Sequence, residues 1–226
     1  MPSEASTLYL GTSGWSHRDW AGKLYPYDMA PADYLATYAR TFAAVEIEGT
    51  YYSIPSRQTV QAWYRRSPDG FRFCPCIPRL ITHDHRLQDT SAVMDDFLAV
   101  ITELHEKLGP LLLQLPEDFR AREQSRLETF LSTLPQTQQF AIEFRHGSWL
   151  KASTYALLEA YHIAWVVVEA PFLPRLPRIT APFAYVRWHG RPGVSQRTRM
   201  TTDPAAAMQP WLTILRQLRR QVETVY

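Results

Sequence analysis

Residues 140–145 read FAIEFR and residues 44–48 read AVEIE. Both alternate apolar with charged side chains at the two-residue period of a β-strand. In AVEIE, Val45 and Ile47 fall on one face and Glu46 and Glu48 on the other. In AIEFR, Ile142 and Phe144 oppose Glu143 and Arg145. An apolar face must be covered by another layer, so these strands are expected to turn their aliphatic side toward helices and to gather their charge on the opposite side.

Similar runs recur outward from these two: LYLG at 8–11, FRFC at 71–74, LLLQL at 111–115, AWVVVE at 164–169 and FAYVRW at 183–188. Helical patterns fill most gaps. Pro31 opens one to residue 42, Ser56 caps one through Arg66, and Ser91 caps a long one that stops before Gly109 and Pro110. Others run over about 122–134, 150–161 and 204–222. The segment PFLPRLPRITAP at 171–182 carries too much proline for a helix and reads as an irregular loop. Strict alternation of strand and helix predicts a parallel sheet, because each parallel strand needs a crossover, and seven or eight units favour a closed barrel over an open sheet. ETVY at 223–226 reads as the start of an eighth strand. The expected fold is therefore one α/β domain over 1–226, a TIM-type (β/α) barrel whose eighth strand is short or missing, with an exposed edge on strand one or seven.

The chain is similar to the YecE-like family, domain of unknown function seventy-two. The likeness is carried by GTSGWSHRDW at 11–20, VEIEGTYYSIPS at 45–56, DGFRF at 69–73, PRLITH at 78–83, LGPLLLQLP at 108–116, EFRHGSW at 143–149 and YVRWHGR at 185–191. The resemblance implies a TIM-type barrel and brings no established reaction. The chain departs from the family, which usually has a lysine where Cys76 stands, asparagines near Glu48 and Gly49, and an aspartate where Glu169 stands, so activities that need those groups are not implied for this chain.

Composition narrows the function classes. With 226 residues, 46% of them hydrophobic, the chain can bury a substantial core. Its apolar runs are far shorter than the roughly 20 residues that span a bilayer, and MPSEAST at the start has no secretory pattern, so a cytoplasmic protein without membrane partners is expected. Cys74 and Cys76 alternate in a strand and are expected as reduced, core-lining thiols. A net charge of +2 argues against an extended nucleic-acid footprint, although arginines crowd the second half.

Strand parity then selects site candidates. Glu46, Glu143, Gln114, Arg145, Glu169 and Arg187 fall late in their strands, where active sites of βα-barrels lie, and should surround one concavity with His189. Glu46 and Glu143 are candidates for an acid/base pair, and His146 or His189 for proton transfer. Arg79, His83, Arg145, Arg187 and Arg191 are candidate contacts to an anion, with Arg197 and Arg199 nearby. Trp15, Tyr51 and Trp149 could form aromatic platforms in a glycosidase-like site. The competing reading is a buried ionic network in which Glu46, Glu48, Glu143 and Glu169 neutralise Arg72, Arg145 and Arg187. His83, His85, His146 and His189 could hold a divalent metal such as zinc or manganese, with the two imidazoles of HDH at 83–85 on one side if that segment is extended, but no His-x-x-x-His or paired CxxC occurs. The leading function is a hydrolase-like pocket for an anionic, phosphate- or sugar-containing small ligand. A non-catalytic binder of a metabolite or a nucleic-acid fragment is the alternative. The cofactor and the oligomeric state are not written in the sequence.

Overall fold

The computed structural model describes residues 6–169, 173–188 and 204–226. The strands are β1 (Thr7–Leu8), β2 (Gly11–Ser13), β3 (Ala44–Ile47), β4 (Arg72–Pro75), β5 (Leu111–Gln114), β6 (Phe140–Glu143), β7 (Ala164–Val168), β8 (Phe183–Arg187) and β9 (Thr224–Val225). The α-helices are α1 (Tyr34–Tyr38), α2 (Gly49–Tyr52), α3 (Arg57–Arg66), α4 (Ser91–Ile101), α5 (Gln124–Thr133), α6 (Ala152–Ala160) and α7 (Pro204–Leu218). The expected alternation is realised as a mixed α/β fold in which every strand pairing is parallel.

One sheet has the order β1-β9-β8-β7-β6-β5 and the other β2-β3-β4. The expected first strand is divided: β1 pairs with β9, and β2 with β3. Gly11 allows this, because a Cβ there would stand 2.1 Å from the carbonyl oxygen of Ala44. Between β4 and β5 lie isolated parallel bridges, Phe73 with Leu108 and Cys76 with Leu112. The last strand is two residues long, as the sequence suggests. The exposed edge expected beside it is a correction: β9 pairs with Thr7 and Leu8 on one side and with Phe183 and Ala184 on the other. Beyond it, where β2 and β8 continue, a cavity of about 240 Å³ opens beside Tyr226.

The two faces separate as parity requires. Val45, Ile47, Phe73, Leu113, Ile142 and Trp165 join the helix residues Leu35, Val60, Phe97, Leu127 and Leu158 in one buried cluster. Cys74, Cys76, Leu112, Ala141, Val166 and Tyr185 form a second, smaller cluster on the opposite face. Both cysteines are free and buried.

Local structure departs from expectation at particular points. Ser56 caps α3 as expected, accepting from the Thr59 amide at 3.1 Å. Ser91, by contrast, is the first residue of α4 and not its cap, and the tail of that helix narrows to a 3₁₀ segment, Thr102–Lys107, broken at His105 by a φ of 47°. The HDH segment is not extended either. Leu80–Asp84 forms a π-turn, followed by left-handed backbone at Arg86, Leu87 and Asp89, so His83 and His85 do not form the two-imidazole edge that an extended strand would give. No helix among the described residues is long and apolar enough to cross a membrane.

Candidate functional site

The residues that the strands deliver to their C-terminal ends meet on one guanidinium. Arg187, the last residue of β8, has a side chain only 10% exposed. Its Nη2 donates to Glu46 Oε1 at 2.7 Å, and its Nη1 donates to Glu143 Oε2. Glu46 sits in β3 and Glu143 ends β6; both are buried. Register explains the meeting, since Ser13 is level with Glu46, Glu46 with Cys74, and Gln114 with Glu143.

Each carboxylate has further donors. Ser13 Oγ donates to Glu46 Oε1 at 2.8 Å, and the Tyr185 hydroxyl to Glu46 Oε2 at 3.1 Å. Gln114 Nε2 donates to Glu143 Oε1 at 3.0 Å, while Arg145 Nε stands 3.8 Å from the same oxygen. Buried charge is tolerable only when paired and hydrogen-bonded in this way. Burial works against the Arg187 cation, but Glu46 and Glu143 outweigh it and hold the guanidinium above the ordinary arginine range. Burial, then the Glu46 charge, pushes the Cys74, Cys76 and Tyr185 protons up, so these three stay neutral beside the ion triad.

Other candidates take places around this centre. Arg145 also pairs with Glu117 at 3.0 Å, and Arg79 with Asp84 at 3.3 Å. Tyr51 meets His83 edge to face at 5.4 Å and Tyr52 at 5.1 Å, and packs against the smaller core cluster. The His83 imidazole is pushed toward its neutral form by burial and by the Arg79 and Arg145 charges. Among the described residues Glu169 pairs with Arg175 and not with a site cation. His146 caps the short turn Gly147–Trp149, its Nδ1 accepting from the Ser148 amide at 3.1 Å. Trp149 is no platform: it is fully buried, and its indole N–H donates to the Phe119 carbonyl at 2.8 Å. His189, Arg191, Arg197 and Arg199 lie outside the described residues. Among the described residues no three His, Cys, Asp or Glu side chains converge as a metal site.

A second opening of about 390 Å³ adjoins the triad at Ser13–Gly14 and Glu46–Ile47, lined by Trp15, His17, Glu48 and Trp63 among others. Trp15 and Trp63 stand edge to face, 5.5 Å apart at 82°. Sequence reasoning named Trp15 but missed His17, Trp63 and the triad donor Ser13. The position of Ser13 could have been found from register alone, one strand away from Glu46.

A parallel α/β protein that collects two carboxylates and a guanidinium where its strands end is a protein with a built polar centre, and its relatives share the fold. The chain belongs to the family described as "Protein of unknown function DUF72", which matches residues 9–226, as the sequence motifs imply. It is similar to the UPF0759 protein YecE of Escherichia coli K12, with 33% identity over 139 residues, 62% of this chain and 48% of that protein. It is also similar to the UPF0759 protein YunF of Bacillus subtilis 168, with 25% identity over 205 residues, 81% of this chain and 70% of that protein. The match thus spans about half the length of the YecE relative. The solved structure of a DUF72 family protein from Thermotoga maritima MSB8 superposes with a TM-score of 0.84 at 30% identity, covering 97% of this chain and 90% of the other. One from Enterococcus faecalis V583 gives 0.75 at 20% identity, covering 97% and 88%, a likeness of fold alone.

Proposed function

We propose that the chain is a hydrolase whose Glu46 and Glu143, held by Arg187, cleave a glycosidic or phosphoester bond in a small ligand, with a glycosidic bond favoured. The observation that carries this reading is the pair of buried carboxylates on neighbouring nitrogens of one guanidinium, close enough to flank a single bond. In the glycosidic case one carboxyl group protonates the leaving oxygen as the C–O bond breaks. The other takes a proton from water, whose oxygen joins the anomeric carbon, and the two carboxyls then re-equilibrate their proton. Arg187 serves here by fixing the two carboxylates, since both its terminal nitrogens are engaged. Phosphoester cleavage ranks second because Arg79 and Arg145 are already paired with Asp84 and Glu117, which leaves capture of an anion to Arg191 and its neighbours.

The same reading includes closure of the strands into a TIM-type barrel as a single domain. Support comes from the bridges between β4 and β5 and from β1 and β2 acting as two parts of one strand, with β9 on one side and β3 on the other. It places the protein in the cytoplasm. A non-catalytic binder is the second reading, favoured by the completeness with which the ion triad satisfies itself. Incubating the protein with panels of aryl glycosides and aryl phosphates and following release of the aryl alcohol separates the two. Turnover of a glycoside supports the hydrolase, and binding without turnover supports the binder.

A further inference from the structure

Glu46 lies in β3, and Glu48, two residues on, stands just past the end of that strand as the residue before α2. Glu46 is saturated with donors, whereas Glu48 is exposed and its carboxylate makes no hydrogen bond or ion pair among the described residues. Around Glu48 lies the second opening, with the half-buried rings of Trp15 and Trp63 in its wall. Both rings are braced from behind: Trp15 packs edge-on to Phe73 at 6.5 Å, and Trp63 stacks on Phe73 at 6.3 Å. Neither indole N–H has a partner among the described residues, and neither is a buried, unsatisfied atom. His17 is fixed at the rim by its Nε2, 2.7 Å from the Ser13 carbonyl. At Gly49 an added Cβ would meet nothing within 4 Å, so the floor beside Glu48 is open.

Rigid indole walls whose N–H donors have no partner among the described residues, next to a carboxylate equally without one, match a ligand that presents both an apolar face and several hydroxyls. A pyranose ring has this composition: its C–H face lies on an aromatic wall, and its hydroxyls donate to carboxylate and accept from N–H. A phosphate would meet the Glu48 charge instead. A purely apolar ligand would strand that carboxylate and both donors.

We propose that the cleft of Trp15, Glu48 and Trp63 is a sugar-ring subsite, and that the substrate is a glycoside of at least two rings, one ring at Glu46 and Glu143 and its neighbour in this cleft. The proposal rests on the hydrolase reading for the position of the scissile bond, and on the cleft alone for the second ring. Consecutive residues line the two openings, Ser13 and Glu46 the first and Gly14 and Ile47 the second, which sets them side by side as the two-ring reading requires.

The test is titration of the protein with glucose, cellobiose, maltose, lactose and diacetylchitobiose, read by calorimetry and by tryptophan fluorescence. At least one disaccharide is expected to bind ten or more times tighter than glucose and to shift the fluorescence of Trp15 and Trp63. Glu48→Gln and Gly49→Leu, both at exposed positions, are each expected to remove most of that advantage while the protein stays folded by circular dichroism. The proposal is overturned if no disaccharide outbinds glucose, or if the advantage survives both substitutions. The outcomes separate the two claims. A disaccharide advantage without any cleavage supports the subsite and removes the hydrolase, whereas cleavage of aryl monosaccharides with no disaccharide advantage removes the subsite and keeps the hydrolase.

Discussion

Two carboxylate regions stand side by side where the strands end, and they solve opposite problems. Around Arg187 every charge is buried and answered by protein: Ser13, Tyr185 and Arg187 hold Glu46, while Gln114 and Arg187 hold Glu143. Around Glu48, two residues further along the chain, the carboxylate and two indole donors find no partner among the described residues. A closed ion network fixes geometry and leaves little to be gained from a ligand's charge. An open set of rigid donors and acceptors is costly to complete from within and is completed by what binds. On this account, chemistry belongs to the first region and recognition to the second.

The largest expected effect breaks the closed region. Arg187→Met would leave two buried carboxylates without their shared cation, and a loss of about 3–5 kcal/mol is expected in urea unfolding. The triple variant that also carries Glu46→Gln and Glu143→Gln should recover most of it. Recovery would confirm that the cost is unpaired charge rather than lost packing. Next in size is Tyr185→Phe, which deprives Glu46 of a buried donor and should cost about 1–3 kcal/mol. Glu48→Gln, in the open region, should stay within about 0.5 kcal/mol. A large loss there would mean that Glu48 has a structural partner and that the contrast fails.

Thiol chemistry sharpens the same contrast. Burial and the Glu46 charge raise both cysteine thiols well above the usual cysteine range, so the folded protein binds these protons more tightly than the unfolded chain. The resulting stability is complete below the ordinary thiol range and is lost as pH rises through and above it. Labelling of Cys74 and Cys76 by a water-soluble disulfide reagent at pH 8 is therefore expected to be at least about a hundredfold slower in the folded state than in urea. Labelling at the unfolded rate would mean that solvent reaches the triad freely.

Much of this was legible in sequence because strand parity survives folding. AVEIE and FAIEF place their glutamates opposite their aliphatic residues whatever surrounds them, so the meeting of Glu46, Glu143, Gln114 and Arg187 could be anticipated. What parity cannot report is how each side chain is satisfied. Glu46 and Glu48 look equivalent in the alternation, yet α2 begins at Gly49 and takes Glu48 out of the sheet. Trp149 looks like a platform in EFRHGSW, but a buried indole needs an acceptor, and the Phe119 carbonyl, 30 residues away in sequence, supplies it. The role of His146 in closing a turn, through its Nδ1 and the Ser148 amide, is likewise invisible in the strand pattern. The π-turn at Leu80–Asp84 has no local signature in PRLITH, and the Arg86 ion pairs that follow it reach Asp118 and Glu123, more than 30 residues away.

The most direct measurement is the turnover number on the best-cleaved aryl glycoside, compared among the wild type, Glu46→Gln, Glu143→Gln and the exposed α5 variant Glu128→Gln, each shown to be folded. Both triad variants are expected to lose turnover by about 10²–10⁴, with Glu128→Gln at the wild-type rate. Wild-type turnover in folded Glu143→Gln, or no cleavage of any glycoside or phosphate by the wild type, would contradict it.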